Sequence, residues 1–293
     1  MDMEADLTES SISRKDDSLR IGGILVAAGK LSSEQAEEIW SLANAEGLRF
    51  GAAALKLKRI TQSDIDFALA RQFNYPVLLG NHPAYVSKEL VLAQDPHAAQ
   101  SESMRTIRSR IMLGWLEASE RNVLAIVSPD RAEGRSWFAG NLAVAFAQAG
   151  ERTLVIDCDM RNPRQHELFN IRNDVGLANA LTGRAGIEIA RRIDPKLRLF
   201  VVPSGPCPPN PQELLIKPVF DVVLAAFSRR VDVVVLDTPA ATETGDAEVL
   251  ATHAGASLLL ARRDHTKESR MLSVMDSMMR SGVKVIGSVI NEF

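Results

Sequence analysis

Hydrophobic and polar positions follow two different regimes along this chain. From about residue 102 onward, continuous apolar runs at residues 123–127, 153–156, 199–202, 231–236, 257–261 and 283–290 alternate with helical stretches. Short runs with no polar face are what strands buried on both sides require, and their alternation with helices predicts a parallel sheet covered on both faces. Nearer the start the period is helical and it repeats. Arg20-Ile21-Gly22 recurs as Arg49-Phe50-Gly51 and Lys30-Leu31-Ser32 as Arg59-Ile60-Thr61, at a constant offset of 29 residues. In each copy a short apolar segment ends at a turn, Gly29-Lys30 or Lys58-Arg59, and Ser32 or Thr61 stands where a second helix needs its N-cap. Two copies of a helix, turn and capped helix are expected.

This divides the 293 residues into an acidic, Ser-rich tail (1–18), a helical module (19–86) closed by Tyr75-Pro76, a linker (87–101) carrying Pro96, and a nucleotide-domain-like segment (102–293). The expected fold class is α/β, a P-loop parallel sheet with helices on both faces preceded by a small mainly helical domain. A formal net charge of -3 gives no global electrostatic reason to expect a nucleic acid partner. The first residues lack the apolar core of a signal peptide and no run approaches the length of a membrane span, so a cytoplasmic location is expected, with any membrane contact made through a partner.

The first strand runs into Ser128-Pro129-Asp130-Arg131-Ala132-Glu133-Gly134-Arg135-Ser136-Trp137 and then an Ala-rich helix. Strand, loop and helix N-terminus together offer unpaired N–H groups and a favourable dipole to a phosphate. Gly134 permits close backbone approach and Ser136 offers a hydroxyl to Mg²⁺. Against the G-x-x-x-x-G-K-[ST] pattern, Pro129 replaces the first glycine and Arg135 the lysine; arginine keeps the charge but presents a planar fork. Acidic residues at later strand ends complete the pattern: Ile156-Asp157-Cys158-Asp159 and Leu236-Asp237-Thr238-Pro239. In a parallel sheet these ends share one edge, where Mg²⁺ and a phosphate loop would meet three carboxylates. Cys158, between two of them, is expected to be structural rather than nucleophilic.

Residues 102–293 resemble the cytoplasmic kinase domain of bacterial capsular and exopolysaccharide tyrosine kinases, in the branch associated with chain-length determination. The motifs that carry this are E-G-R-S, I-D-C-D-M-R-N-P, L-D-T-P, Gly176-Leu177, the Pro208 to Leu215 stretch and the terminal G-S-V-I-N. The resemblance implies ATP and Mg²⁺ as ligands, bound by residues 132–137, with Ala132, Glu133, Gly134, Arg135, Ser136 and Trp137 in the loop. It implies Asp157 as base toward a tyrosine hydroxyl, Asp159 and Asp237 with Ser136 on Mg²⁺, Arg161 toward phosphate and Asn291 near the nucleotide base. It further implies a membrane co-polymerase as partner, and a homo-oligomer built through the E-x-x-R-x-x-R face of Glu102, Arg105 and Arg108. Family kinases phosphorylate tyrosines in a C-terminal tail; here the only tyrosines are Tyr75 and Tyr85, so any autophosphorylation is expected there. Two alternatives stand beside the kinase: a nucleotide-binding adaptor of weakened activity, and a positioning ATPase of the partition or division-site type, whose early signature lysine is here Asp130.

The helical module resembles the N-terminal domain of type II secretion and pilus-assembly ATPases, some of which bind cyclic di-GMP. Lys58 and Ala43 depart from that binding pattern, and a protein-interaction module is the expectation.

Overall fold

The computed structural model describes residues 20–72, 86–95, 98–117, 121–195 and 197–292. The expected tail, Tyr75 and Tyr85 lie outside the described residues. The chain divides into two compact units, Met1–Val77 and Leu78–Phe293.

The first unit holds helices α1 (Ile21–Ala27), α2 (Ser33–Glu46), α3 (Phe50–Lys56) and α4 (Gln62–Gln72). The repeat is visible in its physics. Ser32 and Gln35 form a reciprocal capping box, with the hydroxyl accepting from Gln35 N at 3.1 Å and Gln35 Oε1 accepting from Ser32 N at 2.9 Å. Thr61 and Asp64 reproduce it, the carboxylate accepting from Thr61 N at 2.9 Å. The turn between the paired helices demands a left-handed residue: Gly29 sits at φ 69° and its counterpart Lys58 at φ 53°. Glycine takes that conformation without steric cost, whereas lysine is strained in it. Ile24, Leu25, Ile39, Phe50, Ala53 and Ile65 are among the residues that form this unit's own core.

The second unit begins with α5 (Val91–Gln94) and α6 (Ala99–Ile111), the latter continued by a wide helical turn over Met112–Leu116. There follow β1 (Val123–Val127), α7 (Arg135–Gln148), β2 (Thr153–Asp157), α8 (Gln165–Leu168) and α9 (Leu177–Leu181). The remainder is β3 (Arg191–Arg192), β4 (Leu199–Val202), α10 (Pro211–Ile216), α11 (Val219–Ser228), β5 (Val233–Asp237), α12 (Asp246–Ala254), β6 (Ala256–Arg262), α13 (Glu268–Arg280) and β7 (Lys284–Asn291). The seven strands lie in the order β3-β4-β2-β5-β1-β6-β7, all parallel except the short edge strand β3.

Alternation along the buried strands sorts side chains between two cores. Val123, Ala125 and Val127 face α9 to α13, while Leu124 and Ile126 face α5 to α8. The residues read from sequence as a linker differ from that expectation. Leu90 and Leu92 are fully buried in the second unit's core, because Gly140 of α7 leaves room for Leu90 where a side chain would crowd it.

Candidate functional site

The loop after β1 and the ends of β2 and β5 meet at the carboxyl edge of the sheet, as a parallel arrangement dictates. Two left-handed residues shape the loop, Ala132 at φ 58° and Gly134 at φ 89°. Arg135 and Ser136 then open α7, so their N–H groups have no intrahelical acceptor. Glu133 is fully buried and braces the loop from within: its carboxylate accepts from Asp130 N at 2.7 Å and from the Thr266 hydroxyl. Outside, Asp130 is held by Arg270 and Thr242, and the Arg270 guanidinium lowers its pKa.

A cleft of about 610 Å³ opens over this loop. Ala132, Gly134, Arg135, Ser136, Trp137, Asp159 and Asn291 all line it. Asn291 also donates from Nδ2 to the Glu133 carbonyl at 3.2 Å, tying the end of β7 to the loop. The other expected residues stand differently. Glu133 points inward as described. Arg161 is paired with the buried carboxylate of Asp246. Asp157 lies behind the cleft wall, fully buried, its Oδ2 accepting from the N–H groups of Arg164 and Gln165 at 2.9 Å each and its Oδ1 from Asp159 N at 3.2 Å.

Asp157 and Asp237 are direct register partners on β2 and β5. Burial, and then the charge of Asp237, push the Asp157 carboxyl well above its ordinary range. Burial likewise raises Asp237 to about 6, against the lowering effects of Gln165, Ser136 and Arg135. Cys158 is buried and its thiol is pushed well up, by burial first and the neighbouring carboxylates second, so it is a poor nucleophile.

The donor set fits a nucleotide-bound Mg²⁺. Asp237 Oδ1 is buried without a hydrogen-bond partner among the described residues, the Ser136 hydroxyl lies near enough to lower the pKa of that carboxylate, and Asp159 reaches the cleft. Among the described residues no cluster of three or more His, Cys, Asp or Glu forms a cage of its own. One hydroxyl and one or two carboxylates, completed by phosphate and water oxygens, are the usual environment of Mg²⁺ beside a nucleotide.

Arg135 is the main surprise. Its side chain turns beneath the loop, Nε donating to the Thr238 carbonyl at 2.9 Å and Nη1 to the Ser128 hydroxyl and Asp130 carbonyl. Sequence reasoning also missed Gln165, Asn162, Leu168 and the cleft wall formed by Glu89, Val91 and Gln100. No motif marks them; the wall residues come from the stretch read as linker.

The E-x-x-R-x-x-R face is tied to its own chain. Arg105 pairs with Glu102 at 2.8 Å, and Arg108 donates to the Ala145 carbonyl of α7 at 3.3 Å. Among the described residues no helix is long and apolar enough to cross a membrane.

No protein-family model matches the chain. It is 31% identical over 211 residues to the tyrosine-protein kinase YwqD of Bacillus subtilis, covering 72% of this chain and 89% of that protein. It is 34% identical over 203 residues to CapB of Staphylococcus aureus, covering 69% and 89%. Among solved structures it resembles the chimerical protein CapA2B2, at 30% identity and a TM-score of 0.66 over 79% of this chain and 98% of that one. It also resembles the kinase domain of the Escherichia coli tyrosine kinase Etk, at 27% identity and a TM-score of 0.68 over 72% and 82%. These matches do not favour the positioning ATPase. With a deviant phosphate loop, two acidic strand ends and relatives matched over most of their length, this chain belongs to the bacterial tyrosine-protein kinase family of capsule and exopolysaccharide synthesis.

Proposed function

We propose that the second unit binds ATP with Mg²⁺ in the cleft over residues 128–137 and transfers the terminal phosphoryl group to a tyrosine hydroxyl. The observation that supports this most is the meeting of Ser136, Asp159 and Asp237 at the N-terminus of α7, beneath a left-handed Gly134. Mg²⁺ held there would neutralise charge on the phosphate oxygens. Trp137, Val91 and Leu168 give the cleft an apolar wall, and Asn291 and Gln100 a polar one, against which a nucleotide can be oriented.

The acceptor hydroxyl gives its proton to the Asp157–Asp159 pair. The Asp157 carboxyl is pushed well above its ordinary range by burial and then by the charge of Asp237, but it lies behind the cleft wall and acts on the acceptor only through Asp159. Asp159 is the member that reaches the cleft. Single Asn variants separate the two roles: the base, when replaced, abolishes transfer with modest loss of nucleotide affinity, whereas a metal ligand weakens the Mg²⁺ dependence of binding.

We infer the biological role from the family likeness: control of polymer chain length at the inner membrane, together with a membrane co-polymerase. We assign the homo-oligomer contact to Glu102, Arg105 and Arg108, which must then exchange their intrachain bonds for a neighbour's. The first unit is a protein-interaction module in this reading, not a cyclic di-GMP receptor. Incubation with ATP, Mg²⁺ and the co-polymerase's cytoplasmic segment, followed by mass spectrometry, tests the whole. Phosphotyrosine on the partner, on Tyr75 or on Tyr85 is expected. Bound ATP with no phosphotyrosine anywhere would leave the nucleotide-binding adaptor as the better description.

A further inference from the structure

Gln165 is fully buried and belongs to none of the motifs that define the site. From the start of α8 it reaches all three elements that meet there. Its backbone N–H donates to Asp157 Oδ2 at 2.9 Å. Its side-chain amide donates to the Ser136 carbonyl at 2.9 Å and to Asp237 Oδ2 at 2.8 Å. Both donors of the amide are therefore spent on the phosphate loop and on the acidic end of β5, while Oε1 has no partner among the described residues. A buried acceptor left unpaired costs free energy, so the orientation is imposed: turning the amide over would aim its oxygen at a carboxylate. The pocket for this side chain is kept open by Gly140, where a Cβ would lie 3.1 Å from Gln165 Oε1 and 3.2 Å from Leu90 Cδ2.

We propose that Gln165 is a positioning residue that holds Asp237 and Ser136 in the spacing a nucleotide-bound Mg²⁺ requires; this rests on the reading of the site given above. Gln165 fixes one carboxylate oxygen of Asp237 and leaves the other, Oδ1, without a partner among the described residues. By gripping the Ser136 carbonyl with the same amide it ties the first turn of α7 to the end of β5. Residues that orient a metal ligand from behind typically change metal affinity 10- to 100-fold when removed.

The test is calorimetry on the full chain, titrating ADP in the presence of Mg²⁺ and again in EDTA, for wild type, Gln165→Met and Gly140→Ala. Methionine keeps the length and loses both donors. Gly140→Ala keeps every hydrogen-bonding group and displaces the amide, so it decides the matter should the methionine variant not fold. The expected result is a fall of about tenfold in the enhancement of ADP affinity by Mg²⁺, with affinity in EDTA unchanged within about twofold. A smaller fall of the same kind is expected for Gly140→Ala. An enhancement present in wild type and untouched in the variants overturns the inference alone. Equal losses with and without Mg²⁺ also overturn it, because they describe general loosening. A wild type without any Mg²⁺ enhancement overturns the reading of the site, and the positioning role with it.

Discussion

The Arg135 guanidinium donates to the backbone carbonyl of Thr238, joining the phosphate loop to the residue that follows Asp237. The arginine is nearly buried and its pKa is drawn down by burial against the pull of Asp237 and Asp159. It is therefore a brace of the loop. Arg135→Ala is expected to lower stability by about 2–4 kcal/mol, because it leaves buried acceptors unpaired, and to weaken ADP binding. Arg135→Lys is expected to lose stability too, since an ammonium cannot span the three acceptors, but to keep ADP affinity near wild type. Urea melts and calorimetry on both variants check this. Equal loss of affinity in the two would mean that the fork, not the charge, binds phosphate.

The burial of Asp157 and Asp237 makes stability depend on pH. A carboxyl whose folded pKa lies above its unfolded value favours the folded state most when protonated, below its ordinary value near 3.8, and that contribution is lost as pH rises through about 6. Asp237→Asn is therefore expected to stabilise the nucleotide-free protein at pH 8, by something on the order of 2–3 kcal/mol, and hardly at all near pH 4. Melts at the two pH values measure the gap. A gap independent of pH would show that Asp237 is not the group responsible.

In the first unit, Lys58 occupies the turn position that its counterpart fills with Gly29. Lys58→Gly is expected to raise that unit's stability by about 0.5–1 kcal/mol, the relief of left-handed strain exceeding the added chain entropy. Thermal unfolding monitored through Trp40 would register it. A fall in stability would mean that the turn tolerates the lysine without cost.

Reversal of Arg105 and Arg108 to Glu is expected to convert an oligomer into monomers in sedimentation. The helix itself should survive, because both side chains are only half-buried. An unchanged distribution of sizes would confine these residues to their intrachain bonds with Glu102 and Ala145.

The parallel sheet was legible because its strands are buried on both faces and leave unbroken apolar runs. Ser136, Asp159 and Asn291 were legible because their chemistry lies next to a strand end or helix start, where the chain can reach only one edge. Asp157 was legible as an acidic strand end but not as a buried one. β2 ends at Asp157, so strand alternation does not say how Asp157 and Asp159 are turned, and the hydrogen bonds from Arg164 and Gln165 come from farther along the chain. The strap at Glu89 and Val91 was hidden for a related reason. A few polar residues around Leu90 and Leu92 look like a connector until Gly140 supplies the hollow they fill. Arg135 shares that limit, since its three acceptors were themselves invisible as a set.

The strand order has a bearing on how the molecule comes into being. β1 carries the phosphate loop, yet its sheet partners among the described residues are β5 and β6, the nearer of which begins at Val233. As the chain leaves the ribosome the loop is thus made early and must wait, with its strand unpaired on both edges, for more than a hundred further residues. Asn291, which ties the loop from β7, arrives later still. The nascent chain passes through a long interval in which β1 is a sticky, two-edged apolar strand with no nucleotide site to stabilise it, and that interval is when chaperones would matter most.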